Sequence, residues 1–184
     1  MVNDITIDLS EVSQEVRDTV PKVRTGGQVQ EQLMWCLGEE IKKITHDIDF
    51  RDSDGNKTEL NIFYQLTPYT YEEDEDEGIF PYCQVIFQNS DNKDVNEREE
   101  IKILLGFGIT YEAKDRQYQH IFFQIYNRFR RRFIEDNFLE NFRCEPRMKL
   151  GFDSYDEYTY PKYYAWIETT WMIPGIDRGY SQFS

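Results

Sequence analysis

The chain has 184 residues, with 35 acidic against 21 basic side chains and a net charge of −14. Nucleic-acid binders carry a basic footprint, so this balance excludes tight general binding to a phosphate backbone and suits a basic partner instead. The length allows one domain with a real core. Because the hydrophobic fraction is 39% and aromatics reach 16%, much of the burial must come from Tyr, Phe and Trp, each removing ~150–250 Å² from water.

No apolar run approaches the ~18 residues of a membrane span, and nothing resembles a signal peptide. The expectation is a soluble protein made in a cytoplasm, with no membrane partner. The three cysteines, Cys36, Cys83 and Cys144, are odd in number and lack CxxC spacing. They read as reduced, mostly buried residues rather than a disulfide scaffold or a zinc site.

Residues 1–27 read as a polar N-terminal arm. Val12, Val16 and Val20 could line a short helix that Pro21 stops, and Thr25-Gly26-Gly27 reads as a hinge. The arm is either loosely ordered or docks onto a neighbouring subunit. Residues 28–175 read as a single domain, followed by a polar C-terminal tail, 176–184.

Within that domain, Val29, Leu33, Cys36, Leu37, Ile41, Ile44 and Ile48 keep helical spacing, which predicts a helix from about Gln28 to Thr45. Asp52 to Asn56 is a turn, and Leu60, Ile62 and Tyr64 suggest a short strand. Asp52-x-Asp54-Gly55 echoes a calcium loop. With Gly55 as the loop's sixth residue, however, Phe50 and Asn61 occupy its first and last positions, where carboxylates are required.

Glu72, Glu73, Asp74, Glu75, Asp76 and Glu77 form an unbroken acidic run. Such runs are usually solvated, because like charges repel; a surface past which DNA slides without sticking is the sharper alternative. A strand from Tyr82 to Gln88 and another from Ile101 to Tyr111 flank a polar stretch, and read as an antiparallel hairpin with a charged tip. In the second strand Ile101, Ile103, Leu105, Phe107 and Ile109 share one face. Leu104 and Gly108 lie on the other face with Lys102, so that face should be partly covered too.

Asp115 stands where an N-cap would sit. Tyr118, Ile121, Phe122, Ile125, Tyr126, Phe129 and Phe133 then recur at three- and four-residue steps, predicting a long amphipathic helix. Arg128, Arg130, Arg131 and Arg132 cluster near its C-terminal end, where they suit the helix dipole. They serve either as partners for acids of the same chain or as an intersubunit contact with the acidic run of a neighbour. Arg147 to Phe152 suggests another strand, and Tyr163 to Ile173 is the last strong one.

No P-loop, nucleophile elbow, zinc-protease helix or dinucleotide fingerprint is present. His46 and His120 are far apart, and His120 reads as a boundary residue of the long helix. The expectation is a protein without catalytic residues, metal or cofactor.

The order of motifs carries a resemblance. A helix is followed by Phe80-Pro81-Tyr82-Cys83-Gln84-Val85, then Ile101-Lys102-Ile103-Leu104-Leu105-Gly106-Phe107, then the long helix. Tyr160-Pro161-Lys162-Tyr163-Tyr164-Ala165-Trp166 then runs into Trp171-Met172-Ile173-Pro174. This resembles the tail-terminator (minor tail, head–tail joining) proteins of long-tailed bacteriophages and prophages, over roughly Val29 to Pro174. Lys162 and a longer, more acidic N-terminal arm depart from the family pattern.

The resemblance implies an α+β fold: an antiparallel or mixed β-sheet of about four to five strands, with the long amphipathic helix and an N-terminal helix packed on it. It also implies a homo-oligomeric ring, a hexamer being favoured, that caps the tail tube, ends its polymerisation and offers a surface to the head–tail connector protein. Partners would then be other copies of the chain, the tail tube protein and the connector, at the virion's tail–head junction, with DNA passing through without tight binding. The hairpin tip (Asn92 to Glu99, including Lys93, Asp94, Glu97 and Arg98) and the acidic run are candidate ring or lumen surfaces. The competing classes are an acidic DNA-mimic inhibitor, whose binding would weaken steeply with salt, and another neck or head-completion adaptor.

Overall fold

The computed structural model describes residues 26–52, 54–66, 79–91, 99–112, 118–152 and 159–173. Helix α1 spans Gly26–Thr45, and its periodic Leu33, Leu37 and Ile41 are fully buried. Gly26 and Gly27 belong to its first turn, which corrects the expectation of a hinge at that pair. A small hairpin follows, β1 (Phe50–Arg51) against β2 (Lys57–Thr58). At its turn the Asp52 carboxylate accepts from the backbone N–H groups of Asp54 and Asn56, while Gly55 takes a φ of 80°, a conformation a Cβ would disfavour.

The main sheet contains β3 (Asn61–Tyr64), β4 (Tyr82–Asp91), β5 (Glu100–Thr110), β6 (Phe138–Leu139), β7 (Phe142–Cys144), β8 (Lys149–Phe152) and β9 (Lys162–Met172). Its order is β3-β4-β5-β9-β7-β6, with β8 also on β9. The β3–β4 pair is parallel and every other pair is antiparallel, so the fold is α+β with a mixed sheet. Seven strands join it rather than about four to five. The difference lies in short pieces, β6 to β8, which are too brief to show a period and are held by pairing with one another and with β9.

Register puts the apolar alternation of neighbouring strands on one face. Cys83 faces Phe107 and Val85 faces Leu105; Ile101 lies beside Trp171, Ile103 beside Thr169, and Ile109 beside Tyr163. The second helix, α2 (Tyr118–Glu135), buries Tyr118, Phe122, Ile125, Phe129 and Phe133. Tyr118 stacks on Tyr163 at 3.7 Å between ring centroids, and Phe133 meets Trp171 edge-on at 5.1 Å. Helix α1 covers the β3 side, where Gly38 lies against Ile62 and Tyr64. Both helices therefore pack on this one face. Even its polar atoms are satisfied: the Trp171 indole donates to Thr169 Oγ1, which donates to the Ile103 carbonyl. Leaving either unpaired would cost about 1–3 kcal/mol.

Candidate functional site

The second face of the sheet carries Tyr82, Gln84 and Ile86 on β4, Lys102, Leu104, Gly106 and Gly108 on β5, and Tyr164, Trp166, Glu168, Thr170 and Met172 on β9. No described helix lies on it. Most of these side chains are half-buried, because they cover one another. Phe80 contacts Tyr82 at 5.1 Å and Tyr164 at 6.1 Å between ring centroids, and Phe63 contacts Tyr82 at 6.1 Å. The Lys162 ammonium sits 5.3 Å from the centre of the Phe80 ring, within cation–π range.

Glycines make room for these rings. A Cβ at Gly108 would strike the Tyr82 and Phe80 rings, and one at Gly151 would strike the Trp166 indole. Lys149 pairs with Glu168 across β8 and β9 at 3.1 Å, so one flank of the aromatic surface is charged. The segments Phe80-Pro81-Tyr82 and Tyr160 to Trp166 thus meet at one end of one face, although they are far apart in the chain.

The four arginines separate into two pairs. Arg132 donates from Nε to Glu40 Oε1 at 2.5 Å, and its guanidinium also bonds the carbonyls of Asp136 and Phe138. Arg128 forms a two-pronged pair with Asp47 and bonds the Ile44 carbonyl at 3.1 Å. These contacts tie α2 to α1 and satisfy carbonyls that helix ends leave open. Arg128 and Arg132 are therefore engaged with acids of the same chain, the first of the two alternatives the sequence leaves open. Arg130 and Arg131 are exposed and make no ion pair among the described residues. Around them on the outer side of α2 and just beyond it lie Phe123, Ile134 and Phe138, exposed at 42%, 57% and 50%.

The chemistry-bearing residues stand apart from one another. His46 and His120 are exposed, whereas Cys36, Cys83 and Cys144 are buried thiols outside any disulfide. Burial pushes the Cys83 thiol up, and burial with the Glu145 charge pushes Cys144 up to about 12. Nucleophilic or metal-binding cysteines sit in electropositive, open surroundings instead. Among the described residues no cluster of His, Cys, Asp and Glu could hold a metal ion, and no helix is long and apolar enough to cross a membrane. A cavity of about 490 Å³ lies beside the end of α1, floored by Ile48, Phe50 and Leu60 and rimmed by Lys42, Lys43 and His46. Its lysines are already paired with Glu39 and Glu40.

The acidic run Glu72 to Glu77, the hairpin-tip residues Lys93, Asp94, Glu97 and Arg98, the cap position Asp115, residues 1–25 of the arm and the C-terminal tail lie outside the described residues. Phe123 and Ile134 lie off the apolar stripe of α2 and Phe138 lies beyond the helix, so periodicity does not mark them as a surface. No protein-family model matches the sequence, and no curated protein matches it at a significant level.

Proposed function

We propose that this chain is a structural subunit of a long-tailed phage virion, one whose copies close into a ring that caps the tail tube and presents a surface to the head connector. The observation that supports this reading is the second sheet face, where half-buried Tyr82, Leu104, Tyr164, Trp166 and Met172 adjoin with no described helix over them. A contiguous aromatic surface on a small chain is the usual composition of a protein–protein contact. The two motifs that carry the family resemblance form one end of that same surface.

Such a surface suits the contact with the tube or the connector, and a ring is a closed, self-limiting arrangement of copies that presents it. Its function is geometric: one side matches the last ring of the tube, the other accepts no further tube subunit, and growth stops. The net charge of −14 lets a genome pass the lumen without adhering. No step of covalent chemistry is needed.

Sedimentation of the purified chain with negative-stain imaging tests the reading. A discrete oligomer with a central hole, which shortens tubes when added to polymerising tail-tube protein, is the expected outcome. A chain that stays at its 22.2 kDa monomer mass at high concentration and binds no tube overturns it. Salt-sensitive binding of that monomer to a basic nucleic-acid enzyme would instead favour the DNA-mimic class.

A further inference from the structure

Helix α2 presents two charged surfaces. One, Arg128 and Arg132, is occupied by Asp47 and Glu40 of the same chain. On the other, Phe123, Asn127, Arg130, Arg131 and Ile134 recur at three- and four-residue steps, the spacing that lines up side chains along one side of a helix. Phe123 and Ile134 are exposed at 42% and 57%, and neither Arg130 nor Arg131 has an ion-pair partner among the described residues. Unpaired guanidinium groups flanked by exposed apolar side chains are the composition of a contact that combines an electrostatic register with apolar burial.

In a chain of net charge −14, copies repel one another unless such local positive surfaces meet local negative ones. The densest negative charge in the sequence is Glu72-Glu73-Asp74-Glu75-Asp76-Glu77. In the ring proposed above, the run that meets the outer side of α2 belongs to a neighbouring copy.

We infer that the outer side of α2, through Arg130 and Arg131 with Phe123, Ile134 and Phe138, docks the acidic run Glu72–Glu77 of a second copy of this chain. The inference rests on the ring reading above and specifies its subunit contact. Because two different surfaces meet, the contact is head-to-tail, the kind that closes into a ring when the rotation permits.

The test compares sedimentation of the full chain with that of three variants. R130E/R131E and E73K/E75K each remove one half of the contact, and K42E/R147E makes the same charge change as the first on exposed residues elsewhere. The expected result is a ring for the unmodified chain and for K42E/R147E, and monomers for the other two. Mixing R130E/R131E with E73K/E75K should then give rings in which the two chains alternate, since one kind of junction keeps both original surfaces and the other pairs the two reversed ones. The chain carrying all four substitutions should regain the ring.

A ring that survives R130E/R131E overturns the docking surface while leaving the ring reading intact. Loss of the ring in K42E/R147E overturns it as well, by reducing the effect to net charge. A ring that survives E73K/E75K overturns the assignment of the occupant. An unmodified chain that forms no oligomer overturns both the docking surface and the ring. Circular dichroism of each variant against the unmodified chain keeps misfolding separate from lost contact.

Discussion

Glu40 and Arg132 hold each other across the two helices at 2.5 Å, with the Glu40 side chain only 10% exposed and that of Arg132 30% exposed. A carboxylate sits that deep in α1 because α2 brings it a guanidinium, and Lys43 approaches its second oxygen at 3.4 Å. Glu40→Ala should therefore destabilise the fold by about 2 kcal/mol, the scale of a lost charge-assisted hydrogen bond that leaves its partner half-buried. Urea midpoints of Glu40→Ala, Arg132→Ala and the double variant measure it. A coupling near zero in that cycle would mean the pair contributes nothing specific.

The neighbouring pair responds to pH. Hydrogen bonding from Arg128 holds the Asp47 carboxyl below its ordinary value of 3.8. A carboxylate whose pKa falls on folding adds stability that is fully present above the unfolded value and is lost as pH falls through the lower folded one. The stability difference between the natural chain and Asp47→Asn should be constant at neutral pH and shrink below about pH 4. Thermal midpoints across that range check it. Since the pair is solvent-exposed, high salt should reduce the same difference.

Two glycines of β5 should answer differently to the same substitution. Gly108→Ala drives a methyl into the Tyr82 and Phe80 rings, and displacing them should cost about 1–3 kcal/mol. At Gly106 the nearest atom to an added Cβ is 3.9 Å away, on Gln84. Gly106→Ala should therefore be neutral or stabilising by about 0.5 kcal/mol, because it restricts the unfolded chain. Urea denaturation of the two variants settles the comparison, and equal losses would show that the aromatic end is not tightly packed over Gly108.

The thiols should be silent in the folded chain. With Cys144 pushed up to about 12, fewer than about one in a thousand of its thiolates would be present at pH 8. Cys36 and Cys83 are buried too. A thiol reagent at that pH should label the native protein only slowly, and all three cysteines rapidly in guanidinium. Fast labelling of one native cysteine would locate a region that opens locally.

Periodicity made several elements legible. The alternation from Ile101 to Ile109 and from Tyr163 to Ile173, and the three- and four-residue steps of α1 and α2, all appear as burial on one face. Local repetition of apolar residues specifies both the element and the side that turns inward, whatever the rest of the chain does. The short strands β6 to β8 carry no such repetition. Glu140, the first residue of the two-residue turn between β6 and β7, takes a φ of 53°, a conformation that a glycine at that position would have signalled.

The functional surfaces needed the third dimension for the same reason. Four arginines within five positions look equivalent in the sequence, yet the docking of α1 beside α2 brings Glu40 and Asp47 to two of them and leaves two outside. Phe80, Tyr82, Tyr164 and Trp166 likewise become one surface only when β5 lies between β4 and β9. Composition and period are properties of neighbouring residues and survive in the bare sequence. Which side chains become partners depends on contacts between distant segments, and those are decided by packing.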